Sequence, residues 1–268
     1  MRTVVHLSDL HFGRTDPAIL APLVKFVHEI SPDLVAVSGD LTQRARTAEF
    51  VSAREFLASI PFPQIVVPGN HDVPLHNPFS RFVRRLDRYT RYITPDLQPV
   101  FEDSEMLVVG VNTARAFTWK DGRINVRQLQ QLRATLEKVP ADRTKIVVTH
   151  HPFDLPAGAS GRVVGRSRLA MKTLADCRVD LLLAGHFHIA DTTQTARRYQ
   201  MPGYSAIIVS SGTSTSTRGR GQPNSLNVIK LDRPNLTIER RIWRPTSGIF
   251  DVQSVEIFRR DGEQWVRV

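Results

Sequence analysis

The chain has 268 residues, of which 41% are hydrophobic and 23% charged, which is typical of a globular protein that can bury a core. It contains no run of about 20 apolar residues, which excludes a membrane-spanning helix. The N-terminal residues MRTVVHLSDLHF lead directly into a strand and a polar motif, so we expect no signal sequence. The single cysteine, Cys177, cannot form an internal disulfide and is expected to be a small buried residue. These features indicate a cytoplasmic protein.

The formal net charge of +10 favours phosphate-bearing partners such as a nucleotide, a nucleic acid or an anionic lipid. Basic proteins without acidic partners also occur. The charge therefore restricts the class of partner without identifying it.

Short β-branched runs alternate with helical periodicity up to residue 210. Asp16-Pro17 has the pattern of an N-cap followed by a first-turn proline, and apolar residues at helical spacing continue to Ser31-Pro32. Further helices are predicted at 46–60, 78–92, 125–138 and 167–176. Strands are predicted at 3–8, 34–38, 64–68, 106–111, 145–149, 180–184 and 205–210. This alternation predicts an α/β layer protein whose strands are covered on both faces.

The pattern changes after residue 224. Residues 225–231, 236–244 and 250–258 alternate apolar and polar side chains, which is typical of antiparallel strands. These strands could extend a sheet, cover the site or form a dimer, with Trp243 and Trp265 as core or interface anchors. No linker is apparent, so we predict one domain (1–268) with a core at 1–224 and a β-strand extension at 225–268. The Ser-, Thr-, Gly- and Arg-rich segment 210–222 is predicted to be a mobile loop.

Metal-type side chains follow five of the predicted strands, and ligands bind at the carboxyl ends of the strands in open α/β sheets. One aspartate after a strand is commonly a turn residue. Five such positions are hard to explain by turns, and a buried His-x-His without a ligand would leave polar atoms unsatisfied. The residues are Asp9 and His11 in SDLH, Asp40 in SGDLT, Asn70, His71 and Asp72 in PGNHD, His150 in THHP, and His186 and His188 in AGHFH.

These blocks resemble, in order, the D-x-H, G-D, G-N-H-[DE], H and G-H-x-H pattern of the calcineurin-like metallophosphoesterase superfamily, over about residues 3–190. They look like its branch of bacterial class III cyclic-nucleotide phosphodiesterases and glycerophosphodiesterases. The resemblance implies an α/β fold with a four-layer αββα sandwich, two sheets flanked by helices. It also implies a binuclear centre in which Asp40 bridges both ions. One ion would be held by Asp9, His11, Asp40 and His188, and the other by Asp40, Asn70, His150 and His186.

Two ions about 3.5–4 Å apart can clamp the attacking and leaving oxygens of an in-line displacement, with a bridging hydroxide as the nucleophile. A donor set of imidazole, carboxylate and amide without thiolate favours Mn, Fe, Zn or Co over Mg or Ca. In the family pattern His71 is not a ligand, but stabilises the phosphoryl oxygens or protonates the leaving alkoxide. Asp72 would orient the imidazole of His71, with a turn-stabilising role as the alternative.

Several other residues have open roles. His6, inside the first strand, is expected to be a core histidine, whereas His76 could reach the pocket. His151 either faces the substrate or packs against the loop after Pro152. Thr113, with Asn112 at another strand end, either donates a supporting hydrogen bond or begins a loop. Arg218 and Arg220 could meet the phosphate.

The resemblance implies a metal-dependent phosphoric diester hydrolase acting on 3′,5′-cyclic AMP or a similar small diester. The alternatives are a hydrolase of nucleotide-linked lipid or sugar (UDP-diacylglucosamine pyrophosphatase type), a nuclease, a phosphomonoesterase and a non-catalytic scaffold. The first alternative would place the helix at 81–92 on anionic lipid at the inner membrane face. The basic side chains of that helix would contact the lipid, and they are Arg81, Arg84, Arg85 and Arg88. The apolar residues Phe82, Leu86 and Tyr89 would be either core residues or acyl contacts. A nuclease lacks support because no RNP-type aromatic pattern accompanies the charge. Retention of every ligand and of His71 argues against a scaffold, and family relatives suggest a homodimer.

Overall fold

The computed structural model describes residues 1–74, 85–115, 120–219 and 221–268. Within these residues the chain forms thirteen strands, of which all but three were predicted from apolar or alternating runs. The strands are β1 (Arg2–Leu7), β2 (Leu34–Val37), β3 (Gln64–Val66), β4 (Val100–Glu102), β5 (Met106–Gly110), β6 (Thr144–Val148), β7 (Leu181–Ala184), β8 (Asp191–Gln194), β9 (Ile207–Ser210), β10 (Ser225–Asp232), β11 (Asn235–Arg244), β12 (Ile249–Asp261) and β13 (Gln264–Arg267).

The helices begin where the sequence places capping residues. The Asp16 carboxylate accepts a hydrogen bond from the backbone N–H of Ala18 at 3.0 Å, directly before a first-turn proline. At a later helix, Asn125 and Gln128 form a reciprocal capping box. The helices of the described residues are α1 (Pro17–Ile30), α2 (Thr47–Ala58), α3 (Asp87–Tyr92), α4 (Val126–Leu136) and α5 (Ser167–Asp176). None of them is long and apolar enough to cross a membrane.

The strands form two mixed sheets that pack face to face. The first sheet has the order β13-β12-β11-β10-β1-β2-β3, and the second has the order β4-β5-β6-β7-β9-β8. Val4 packs into the core between the sheets, while its neighbour Val5 packs against the helices outside the first sheet. Because successive side chains of a strand point to opposite faces, a strand covered on both faces is a continuous apolar run. The predicted four-layer αββα sandwich is confirmed.

The C-terminal strands extend the first sheet, since β10 pairs antiparallel with β1. Trp243 packs in the core beneath the outer helices, and Trp265 packs in the core between the two sheets. Three strands were not predicted because they contain no apolar run. These are β4, β8 and β13.

The helix predicted at 78–92 is described only in its last part, as α3. There Leu86 and Tyr89 are buried core residues, and the Tyr89 hydroxyl donates to the carbonyl of Val66 at 2.9 Å. These two side chains are therefore not available as acyl contacts. The predictions for His76, Arg81, Phe82, Arg84 and Arg220 concern residues outside the described part of the chain.

The prediction of a mobile loop at 210–222 is wrong for its first half, since residues 211–216 are buried. Thr213 Oγ1 donates to the carbonyl of Asp9 at 2.7 Å, and Thr215 Oγ1 donates to the carbonyl of Leu10 at 2.7 Å. Ser214 Oγ accepts a hydrogen bond from the backbone N–H of Ser8 at 3.0 Å. The hydroxyls thus satisfy backbone groups of the SDLH segment and fix the loop that carries Asp9.

Candidate metal centre

The predicted site residues lie at the carboxyl ends of strands from both sheets. The loops after β1, β2 and β3 come from the first sheet, and those after β6 and β7 come from the second. Five of the seven predicted ligands have left-handed backbone conformations, which non-glycine residues seldom adopt and which cost about 1–3 kcal/mol each. They are Asp9 (φ 51°), His11 (49°), Asp40 (52°), His186 (78°) and His188 (58°). Strain concentrated in this way marks a functional arrangement of side chains.

Glycines in the motifs give the side chains room to approach each other. A Cβ atom on Gly69 would collide with the carboxylate of Asp40. A Cβ atom on Gly185 would collide with the side chains of Ser8 and Asp9. The G-N-H and G-H-x-H motifs therefore need glycine because backbone and carboxylate are in direct contact.

The first group of converging side chains contains Asp9, His11 and His188. The Nε2 atoms of His11 and His188 lie 3.7 Å and 3.5 Å from Asp9 Oδ1 and 3.3 Å from each other. Asp9 Oδ2 accepts hydrogen bonds from Ser8 Oγ and from the backbone N–H of His186. Asp9 Oδ1 is buried and has no hydrogen-bond partner among the described residues. A buried carboxylate oxygen facing two imidazole nitrogens fits a bound cation.

The second group contains Asn70, His150 and His186. Asn70 Oδ1 lies 3.1 Å from His150 Nε2 and 3.0 Å from His186 Nδ1. Asp40 lies between the two groups, with Oδ1 3.4 Å from His150 Nε2 and Oδ2 3.7 Å from His11 Nε2. The structure therefore brings all seven predicted ligands together in two groups that share Asp40.

Asp40 and His150 form a buried pair in which each group shifts the pKa of the other. Burial would raise the pKa of Asp40, but the adjacent His150 holds that pKa well below its ordinary value. Burial would lower the pKa of His150, but Asp40 raises it to about 9. In contrast, burial lowers the pKa of His186 to about 3 and that of His188 to about 4. These two imidazoles are neutral at pH 7, which is the form that binds metal ions.

His71 lies beside the two groups and has its own partners. Its Nδ1 donates to the carbonyl of Gln43 at 2.8 Å, and its Nε2 accepts from Arg218 Nη1 at 3.0 Å. The ring packs edge-on against His11 with 4.9 Å between centroids. Burial lowers the pKa of His71, so its neutral form is favoured. The carbonyl of Gln43 fixes the tautomer and directs Nε2 toward Arg218.

The prediction that Asp72 orients the imidazole of His71 is wrong. The Asp72 carboxylate accepts from the backbone N–H groups of Leu41, Thr42 and Gly69 and from Thr42 Oγ1, at 2.9–3.2 Å. Burial, together with the nearby Asp40, raises the pKa of Asp72 to about 6. Asp72 ties the loops after β2 and β3 together, which is the alternative, turn-stabilising role. A motif cannot reveal that the imidazole is oriented by the carbonyl of Gln43 instead.

Three further expectations are settled by burial and by hydrogen-bond contacts. His6 is fully buried, and its Nε2 lies 2.9 Å from Ser38 Oγ, as expected of a core histidine. Cys177 is a free, buried thiol. The hydroxyl of Thr113 lies 2.8 Å from Nδ1 of His151, so Thr113 does make a supporting contact at a strand end.

The two groups open into a cleft of about 290 Å³. Asp40, Asn70, His71, His186 and His188 line it together with three cationic side chains and one acidic one. The cationic residues are Lys120, Arg162 and Arg218, and the acidic residue is Asp121, whose carboxylate lies 3.6 Å from Arg162. The cleft therefore presents positive charge to an anionic ligand. Lys120 and Arg162 had not been singled out in the sequence, because neither belongs to a motif.

The two stacked sheets, with metal-type residues clustered at the strand ends, define an α/β protein with a candidate metal centre. The family model for calcineurin-like phosphoesterases matches residues 2–190. The chain therefore belongs to the calcineurin-like phosphoesterase family.

Sequence identity to individual relatives is low. The chain is 27% identical over 169 residues to the probable glycerophosphodiester phosphodiesterase GpdQ of Arcobacter nitrofigilis, covering 60% of this chain and 59% of the relative. It is 27% identical over 180 residues to the 3′,5′-cyclic adenosine monophosphate phosphodiesterase CpdA of Escherichia coli K12, covering 64% of this chain and 59% of CpdA. The chain thus spans less than two thirds of the length of either relative.

The fold is also similar to that of purple acid phosphatase PPD1 from yellow lupin. The TM-score is 0.72 at 16% identity, covering 97% of this chain and 54% of the phosphatase. At this identity the comparison concerns the fold alone.

Proposed function

We propose that this protein is a binuclear metal-dependent phosphodiesterase. The observation that carries the proposal is that Asp40 lies between the two side-chain groups, with Oδ2 3.7 Å from His11 Nε2 and Oδ1 3.4 Å from His150 Nε2. One ion would be held by Asp9, His11 and His188, the other by Asn70, His150 and His186, with Asp40 bridging. Imidazole, carboxylate and amide donors without thiolate suit Mn, Fe, Zn or Co.

The bound ions would supply Lewis-acid activation of the water nucleophile and of the phosphoryl group. The protein's own residues would bind and orient the substrate. Arg218 lines the cleft and can donate to a phosphoryl oxygen, since its guanidinium already donates to neutral acceptors there, His71 Nε2 at 3.0 Å and Gln43 Oε1 at 3.4 Å. His71 lines the same cleft, where Nε2 could protonate a leaving oxygen only after taking up a proton itself, because the proton of the neutral ring is on Nδ1.

For the substrate we propose 3′,5′-cyclic AMP or a similar small diester. The cleft volume of about 290 Å³ is sufficient for a small molecule. The names of the relatives, one a cyclic-nucleotide and one a glycerophosphodiester phosphodiesterase, support a diester over a monoester. Lys120 and Arg162 at the cleft would attract an anionic substrate.

The alternative of a lipid-surface hydrolase gains no support from the described part of the basic helix. Arg88 Nη1 donates to the carbonyl of Ala45 at 2.8 Å, and the apolar residues Leu86 and Tyr89 are buried in the core. A membrane-binding face needs exposed apolar side chains beside the cations.

The test is a substrate panel with protein that has been stripped of metal and reloaded with Mn²⁺. The panel contains cyclic AMP, cyclic GMP, glycerophosphocholine, bis(p-nitrophenyl) phosphate and p-nitrophenyl phosphate. We expect metal-dependent hydrolysis of at least one natural diester, with the monoester turned over more slowly. A preference for the monoester, or turnover that persists in the stripped protein, would overturn the proposal.

A further inference from the structure

The hydroxyl of Ser8 contacts a predicted metal ligand, although Ser8 itself lies outside the D-x-H motif. The residue is fully buried and directly follows β1. Its Oγ lies 2.7 Å from Asp9 Oδ2 and 3.3 Å from the carbonyl oxygen of Ser38. Both partners can only accept, so the hydroxyl is the donor. The shorter contact, to a charged acceptor, is the stronger of the two.

The two carboxylate oxygens of Asp9 have different surroundings. Oδ2 accepts the hydroxyl of Ser8 and also the backbone N–H of His186 at 3.0 Å. A carboxylate oxygen has two lone-pair positions, so these two donors occupy both positions of Oδ2. Oδ1 is buried without a hydrogen-bond partner among the described residues, and it lies 3.7 Å from His11 Nε2 and 3.5 Å from His188 Nε2. Only Oδ1 is therefore available to a cation.

The surrounding structure holds Ser8 in the position from which it reaches Asp9. Adjacent side chains of an extended strand point to opposite faces and cannot meet, but Asp9 has a left-handed backbone (φ 51°). The backbone N–H of Ser8 donates to Ser214 Oγ at 3.0 Å, and its carbonyl accepts the N–H of Ser214 at 2.9 Å. A Cβ atom on Gly185 would collide with the hydroxyl of Ser8 and with the carboxylate of Asp9. The contact is thus fixed before any ion binds.

We propose that Ser8 is a positioning residue that makes Asp9 a ligand through Oδ1 alone. This inference rests on the proposed binuclear centre and leaves its ligands unchanged. Without the hydroxyl, Oδ2 keeps one donor and has a lone pair free for the ion. The carboxylate can then rotate, and Oδ1 no longer stays between the imidazoles of His11 and His188. Hydrogen bonds that orient a metal ligand typically contribute about 10–100-fold to metal affinity.

The experiment measures the affinity for each of the two ions. Metal-free wild-type protein and Ser8→Ala are titrated with Zn²⁺ against a competing chelator, and thermal unfolding of the metal-free proteins compares their stability. Thr195→Val is the matched control. Thr195 is also fully buried, and its Oγ1 accepts the backbone N–H of Ala206 at 2.9 Å, directly before β9 and not at the carboxyl end of the strand. A crystal structure of the zinc-loaded wild type shows which oxygen of Asp9 binds the ion.

We expect the wild type to bind two ions. In Ser8→Ala the affinity for one of them should fall by about 10–100-fold, because Ser8 contacts a ligand of the first position only. The affinity for the other ion should stay within about threefold of the wild type. Thr195→Val should lower the Tm of the metal-free protein but leave both affinities unchanged, since it removes a buried hydroxyl that contacts no ligand. In the crystal structure, Asp9 should bind through Oδ1 with Oδ2 still in contact with Ser8 Oγ.

The outcomes separate this inference from the proposed function. If the wild type binds two ions and Ser8→Ala binds both with unchanged affinity, Ser8 does not position Asp9, while the binuclear centre stands. An equal loss of affinity in Thr195→Val would show a general effect of stability and would also refute the inference. If the wild type binds no ions, the proposed function itself is wrong. If Ser8→Ala does not fold, the crystal structure of the wild type decides, and an ion bound to Oδ2 or to both oxygens refutes the inference.

Discussion

Replacing Arg218 with methionine tests how the cleft handles an anionic substrate. The side chain of Arg218 is half-buried, and its Nη1 lies 3.0 Å from His71 Nε2. Hydrogen bonds that involve a charged group contribute about 1.5–3 kcal/mol. Partial exposure to solvent weakens this one toward the lower value. A loss of about 1.4 kcal/mol corresponds to a tenfold change in rate. We therefore expect kcat/KM for a phosphodiester to fall by about tenfold in Arg218→Met.

The assay is hydrolysis of bis(p-nitrophenyl) phosphate by Mn-loaded protein, with metal content measured in the same samples. Arg218→Lys should fall between the wild type and Arg218→Met, because it keeps the charge but loses the planar donor geometry. Arg127→Met removes an exposed arginine from α4 and is the matched control. If Arg218→Met retains kcat/KM within twofold of the wild type, Arg218 contacts neither the substrate nor a catalytically important His71. An equal loss in Arg127→Met would show that the effect is one of overall charge.

The remaining predictions concern the ions, His71 and the supporting loop. Asp40→Asn should lower the bound metal from two ions to fewer than one, because Asp40 contacts both groups; unchanged metal content would argue against a bridging role. Chelation should lower the Tm of the wild type and Mn²⁺ should restore it, since a ligand at about 1,000 times its Kd stabilises by about 4.1 kcal/mol; a Tm insensitive to chelator would contradict this. His71→Gln should keep both ions but lose about 10²–10⁴-fold in kcat, and a kcat near that of the wild type would remove His71 from the mechanism. Thr213→Val should lower the free energy of unfolding by about 1–3 kcal/mol, measured by urea denaturation, because the carbonyl of Asp9 loses its buried donor.

The elements that sequence analysis located well are those whose hydrophobic pattern is local. The strand prediction at 34–38 and the observed strand Leu34–Val37 differ by one residue, since a strand buried on both faces is an uninterrupted apolar run. β8 has the sequence DTTQ and only half-buried side chains, so it contains no apolar run from which a strand could be predicted. Its pairing with β9 creates the strand, and that pairing cannot be seen in a short polar segment.

The same distinction holds for the site. The motifs located the seven predicted ligands because metal chemistry restricts which side chains can follow each strand. They did not reveal that a carbonyl, that of Gln43, orients His71, because a backbone carbonyl occurs at every residue. The composition of 210–222 suggested a mobile loop, but Thr213 is buried there, because it donates to the carbonyl of Asp9, 204 residues away in the chain. Interactions with backbone groups or with distant segments cannot be predicted from the local amino-acid composition.

Neither sheet alone carries all the donors proposed for either ion position. In the first group, Asp9 and His11 follow a strand of the first sheet, while His188 follows β7 of the second. In the second group the balance is reversed, since Asn70 comes from the first sheet and both His150 and His186 come from the second. Every predicted ion would therefore join the two sheets at the rim of their shared apolar core. Because a ligand that binds only the folded state stabilises it, the ions and the packing of the two sheets should depend on one another. The carboxylates come only from the first sheet and most of the imidazoles from the second, so a relative displacement of the sheets would separate the acidic from the neutral donors and dismantle both positions at once.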